Sequence, residues 1–245
     1  MATRLVHIVI DANDPARLAR FWAAALGWEV ADEEAGEVDV WPAGFSYPEP
    51  AALPLVFVPV PEPKTTANRV HLDLASGSLE QQRAEVRRLL ALGATRADVG
   101  QGDVPWTVLA DPEGNEFCVL EPRPAYAGTG PVAAVVAGCA DPVALAAFWE
   151  LAAGFTRVHS ADGFESLRSP AGVGPFLELL RVPGAKTVKN RVHLDVRPPV
   201  GEDQAEAVAA LRAAGAKPAD VGQGDVRWTV LADPEGGEFC VLTPR

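Results

Sequence analysis

Thr107 to Leu120 reads TVLADPEGNEFCVL, and the same text returns as TVLADPEGGEFCVL from Thr229 to Leu242, changed only where Gly237 answers Asn115. The same offset relates NRVHLD at Asn68–Asp73 to Asn190–Asp195, and DVGQGDV at Asp98–Val104 to Asp220–Val226. One unit has been used twice, so the chain serves as its own alignment. What the copies share is expected to be scaffold, and what they do not share is the first place to seek function.

Working outward, each copy reads as strand, helix and short strands, taken twice. Arg4 to Asp11 alternates, with Val6, Ile8 and Ile10 on one face and Leu5, His7, Val9 and Asp11 on the other. Asp14 then caps a helix with Pro15 at its first position, an apolar stripe at Leu18, Phe21, Trp22, Ala25 and Leu26, and Gly27 as its stop. From Trp28 to Val60 short strands are split by turn material. Asn68 opens a second unit: a strand at Val70–Leu74, a helix at Leu79–Leu92 closed by Gly93, and strands near Trp106–Ala110 and Glu116–Leu120 joined by the Asp111-Pro-Glu-Gly114 turn. In the second copy Asp141-Pro142 answers Asp14-Pro15 at a larger offset, so residues are missing there between the first helix and the fourth strand.

The chain of 245 residues therefore predicts an α+β protein of four βαβββ modules, paired into domains at 1–123 and 131–245 with a linker at 124–130 inside RPAYAGTG. With 48% hydrophobic and 22% charged residues it has a globular balance, and no apolar run is long enough for a bilayer. Three cysteines are too few and too odd in number for a disulfide framework, and the chain reads as cytoplasmic. A net charge of −12 argues against nucleic acid and anionic membrane as partners and would draw in a cationic small molecule, though acidic balance is most often a solubility device. G-x-S-x-G, P-loop, dinucleotide and H-E-x-x-H patterns are missing.

Paired βαβββ modules, a strand-borne histidine opening each module of the first copy, and the closing DPEGNEFCVL resemble the vicinal oxygen chelate superfamily, within it the glyoxalase-like domains related to bleomycin resistance proteins. The resemblance covers both halves. It implies curved mixed sheets around a cavity with helices outside. It also implies a divalent metal (zinc, iron, manganese or nickel) held by ligands on the first and fourth strands of the modules. By position His7 and His71 stand at two ligand places, and Val58 near a third where a carboxylate is often found. The last place falls on Cys118, with Glu121 three residues on and facing the other way by strand parity. Two sets stay open: His7, His71 and Cys118, a His2Cys set suited to zinc, or His7, His71 and Glu121 if a bulge turns Glu121 inward, where it could also be the base. In the second copy Ala134, Leu180 and Thr243 replace His7, Val58 and Glu121, so that copy is expected to be degenerate, and His7 becomes the discriminating residue.

Each candidate has a structural alternative. His7 and His71 can be half-buried histidines bonded to neighbours, and Cys118 and Cys240 small core residues. Trp41 and Trp106 can line the cavity or fill the core, and Asp11 and Asp73 can orient an imidazole, meet a cationic group or sit exposed at a strand end. The family's functions range from glyoxalases, lyases, epimerases and extradiol dioxygenases to sequestration of antibiotics without catalysis. The expected function is a metal-assisted reaction on a small molecule in the first domain. The alternative is a binding protein for a hydrophobic or cationic compound, in either case as a monomer or homodimer.

Overall fold

The computed structural model describes residues 3–34, 36–47 and 49–244. The first strand, β1 (Arg4–Ala12), runs into helix α1 (Pro15–Leu26) through the expected cap: Asp14 accepts the Arg17 amide at 3.0 Å, and Gly27 closes the helix at φ 67°. Three strands complete the module, β2 (Glu29–Glu34), β3 (Glu37–Trp41) and β4 (Leu55–Pro59). The second module holds β5 (Val70–Leu74), α2 (Leu79–Leu92), β6 (Thr95–Arg96), β7 (Thr107–Ala110) and β8 (Glu116–Val119). After a 3-10 turn at Pro124–Tyr126 the third contains β9 (Val132–Cys139), α3 (Pro142–Ala153), β10 (Thr156–Ala161), β11 (Phe164–Arg168) and β12 (Phe176–Arg181). The fourth is β13 (Val192–Arg197), α4 (Gln204–Ala213), β14 (Lys217–Pro218), β15 (Thr229–Ala232) and β16 (Glu238–Val241).

The modules pair across the duplication. One open eight-stranded sheet runs β14-β15-β16-β13-β1-β4-β3-β2 and joins the first module to the fourth; the other runs β10-β11-β12-β9-β5-β8-β7-β6 and joins the second to the third. Within every module the first strand lies parallel to the last, and the modules meet through antiparallel β1–β13 and β5–β9 pairs. The linker at 124–130 thus separates the halves in sequence while each sheet draws on both. The reason is connection length: a short linker leaving β8 reaches β9 on the far side of β5 without leaving the sheet.

Both sheets turn one face to a common core. Ile8, Ile10, Leu72, Leu74, Val135, Leu177, Leu194 and Val196 pack there with the apolar stripes of α1 and α3. A register shift between Leu5 and His7 turns Leu5 into this core as well, against the simple alternation read from the sequence. Trp22 of α1 meets Phe117 of β8 with ring centroids 5.0 Å apart, and Trp149 of α3 repeats the contact with Phe239 at 5.5 Å.

The repeated DPEG turn locks these helices. Asp111 accepts the amides of Glu113 and Asn115 and the Trp22 indole N–H. Glu113 accepts the amides of Asn13 and Asp14 at the entrance to α1. Asp233 and Glu235 do the same for Trp149, Ala140 and Asp141. Burial raises the Asp111 carboxyl and lifts Asp233 to about 6.

Candidate functional site

Each sheet turns a second face, its hollow, away from the helical core, and these two faces carry the polar side chains. In the first sheet His7 Nδ1 lies 3.2 Å from Asp195 Oδ2, and His193 Nε2 approaches Asp195 Oδ1 at 3.8 Å and Cys240 Sγ at 3.6 Å. His193, Asp195 and Cys240 form a compact donor group. Asp11 is 2% exposed and pairs with Lys189 at 2.6 Å instead of orienting a histidine. Trp41 stacks on Phe45 at 6.0 Å, and Tyr47 stands 6.0 Å from the His7 ring.

In the second sheet His71, Asp73 and Cys118 form the equivalent group, with His71 Nε2 3.4 Å from Asp73 Oδ1. Burial, then the Asp73 charge, pushes the Cys118 thiol far above its ordinary range, so without a cation it stays protonated. Glu121 follows β8 and forms a 2.6 Å ion pair with Arg123; burial pushes its carboxyl up, but the Arg123 bond and charge together with a backbone bond hold it below the ordinary value. Trp106 packs beside Val108, Cys118, Leu120 and Ala133, with the Arg123 guanidinium 5.6 Å over its ring.

His7 and His71 therefore belong to different sheets, and neither His7, His71 and Cys118 nor His7, His71 and Glu121 is brought together as a set. The cause is the crossed pairing: the strand opposite β1 is β13, so the partners of His7 come from the fourth module. His71 and Cys118 do come together. Glu121 is committed to Arg123.

Sequence reading passed over Glu178. In register His71 pairs with Val136 across β5–β9, and Val136 pairs with Glu178 across β9–β12, so the histidine and the carboxylate stand in one row on one face. Glu178 is 5% exposed and accepts from the Tyr126 hydroxyl at 3.0 and 3.2 Å. Burial, reinforced by Asp73 and opposed by Tyr126, Arg123 and Ser166, raises its carboxyl to about 7. The equivalent row in the first sheet is His193, Val9 and Val56, so the fourth-strand position there is Val56, and Val58 lies opposite Asp11. A signal existed: Phe176–Leu180 is an apolar run broken by one charge.

The donor sets fit a divalent ion. Each offers an imidazole nitrogen, a thiol sulfur and a carboxylate, and Asp73 Oδ1 and Asp195 Oδ1 are buried without a hydrogen-bond partner. No helix among the described residues is long and apolar enough to cross a membrane.

Comparison with known proteins agrees with this architecture. The family model described as "Glyoxalase-like domain" matches residues 7–120 and 134–242. Glyoxalase I from Zea mays is similar in structure, with a TM-score of 0.65 at 14% identity over 99% of this chain and 92% of that one. A putative dioxygenase from Bacillus subtilis gives 0.64 at 15% identity over 99% and 85%. At these identities the likeness concerns the fold. No curated protein matches the chain. Two matches of the family model, spanning nearly the whole sequence, place this chain in the glyoxalase-like domain family of the vicinal oxygen chelate superfamily.

Proposed function

We propose that the protein is an enzyme acting on a small molecule in the hollow of the second sheet, with Glu178 as the proton-transferring group and His71, Asp73 and Cys118 as holders of a divalent ion. The observation that carries this reading is the shared row of His71 and Glu178, contributed by different halves of the chain. A buried carboxylate is costly where packing is the only requirement, and Val56 shows that this fold accepts an apolar residue at the same place. A group that can hold or release a proton near neutral pH is what proton transfer to or from a bound substrate requires.

A bound ion would supply Lewis-acid polarisation of a substrate oxygen. The protein groups supply the remainder. Glu178 takes or returns a proton, the apolar floor of Ala134, Val136 and Phe176 excludes water, and Arg123 contributes positive charge at the rim. A proton-transferring group beside a held ion suits lyase, isomerase or dioxygenase chemistry on a small molecule better than simple sequestration, which needs neither.

The test is metal analysis of protein purified without chelator, joined to solvent-deuterium incorporation into a panel of small ketones and hydroxyketones. The expected result is a bound divalent ion reduced by His71→Ala but not by His7→Ala, and exchange of at least one panel member that Glu178→Gln abolishes. An ion content indifferent to His71, with exchange indifferent to Glu178, would overturn the reading.

A further inference from the structure

The chain has two tyrosines, and each stands in one of the two hollows. Tyr126 comes from the linker, not from a strand. Its hydroxyl donates to both oxygens of Glu178, its ring lies edge-on to Phe176 with centroids 5.6 Å apart, and its flanks rest on Ala134 and Val136. The Arg123 guanidinium sits 5.8 Å from its centroid. The space before the His71–Glu178 row is thus filled by a phenol that the protein itself provides, met by an acceptor for the hydroxyl, an apolar bed and aromatic edge for the ring, and a cation at its face.

The segment that delivers this ring lies largely at the surface, with Thr129 its one buried residue. Pro124, Ala125, Ala127 and Gly128 are exposed, and Gly128 and Gly130 have φ of 81° and 80°, backbone that only glycine adopts without strain. Among the described contacts the turn is held mainly by its own bonds, such as Thr129 Oγ1 donating to the Tyr126 carbonyl at 2.9 Å. A cleft of about 810 Å³ runs along its flank, between the linker, the end of α1 and the start of α2. Ser76 belongs to that lining, and its Oγ is buried without a partner.

We propose that the second hollow recognises the hydroxyaryl ring of a small phenolic ligand, that Tyr126 is its internal stand-in, and that the linker withdraws to admit the ligand. This rests on the reading of the second hollow as the working centre and names the class of molecule it takes. In the first hollow the guanidiniums of Arg4 and Arg197 lie 5.5 and 4.9 Å from the Tyr47 ring, and Val56 stands where Glu178 stands in the second.

The experiment uses 4-fluorophenol and fluorobenzene as probes, observed by fluorine NMR on the full chain after chelator treatment, so that it does not depend on a metal. Tyr126→Ala should bind 4-fluorophenol roughly tenfold or more tightly than the unsubstituted protein does, and prefer it to fluorobenzene by a similar factor. Adding Glu178→Leu should remove the preference. Equal binding of both probes by Tyr126→Ala, or binding of neither by a folded variant, overturns the proposal. Should Tyr126→Ala fail to fold, the unsubstituted protein decides: saturating 4-fluorophenol, but not fluorobenzene, should accelerate amide exchange in residues 124–130 several-fold, and unchanged exchange overturns it. A phenol preference without any metal binding leaves this inference standing and defeats only the ion-holding part of the proposed function.

Discussion

His7 and Asp195 face each other across the strand pair that joins the two ends of the chain, with Nδ1 3.2 Å from Oδ2. Neither half of the sequence can build its hollow alone. Residues 1–123 would leave β1 and β5 without their antiparallel neighbours β13 and β9, and bare strand edges of this length template association. The two halves, produced separately as 1–123 and 124–245, should therefore self-associate when alone and form a one-to-one complex when mixed. Light scattering after size-exclusion chromatography reads the outcome, and a stable monomer of either half would contradict it.

The DPEG turns make a second prediction. Asp111→Ala strands the Trp22 indole N–H and the amides of Glu113 and Asn115, all bonded to that carboxylate in or near the core. Unsatisfied buried donors cost about 1–3 kcal/mol each, so the variant should lose at least about 2 kcal/mol in denaturant unfolding. Asp111→Asn keeps an acceptor and should lose less. Equal losses would show that packing, not the bonds, holds the turn.

How far the sequence could be read follows from the same residues. Strand alternation, Asp14, Pro15 and Gly27 defined the first strand and helix because caps and periodicity are local, and the copied DPEG segment marked scaffold because it recurs intact. The crossed pairing was not legible, since β1 carries no local mark of whether its neighbour is β5 or β13. That one ambiguity placed His7 with His71. Glu178 was hidden for a related reason: it answers Val56 at the repeat's own offset, but the fourth-strand place falls two residues further on, at Val58 and Leu180, until strand register moves it back.

Glu178 also predicts a pH dependence. Its carboxyl is raised to about 7 from an ordinary value of 4.5, so it binds a proton more tightly in the folded chain than in the unfolded one. That contribution to stability is fully present below about 4.5 and is lost as pH rises through about 7, up to roughly 3 kcal/mol. Glu178→Gln, neutral throughout, should flatten the decline between pH 5 and 8. Parallel unfolding curves for the two proteins over that range would mean that the carboxyl titrates normally.

The matched donor groups allow the last prediction to be made differentially. Cys118 and Cys240 are both buried thiols whose ionisation is opposed first by burial and then by an adjacent aspartate, Asp73 or Asp195. An ion arriving at either group would displace the thiol proton, because a coordinated sulfur is a thiolate. Cobalt added to the chelator-treated protein should then produce thiolate-to-metal absorption in the near ultraviolet with proton release. Cys118→Ser should remove the second-sheet share and Cys240→Ser the first-sheet share. His7 touches only the group around Asp195, so His7→Ala should alter the cobalt spectrum in Cys118→Ser protein and leave it unchanged in Cys240→Ser protein. A spectrum unaffected by either cysteine would place the ion elsewhere and deprive both hollows of the proposed sulfur ligand.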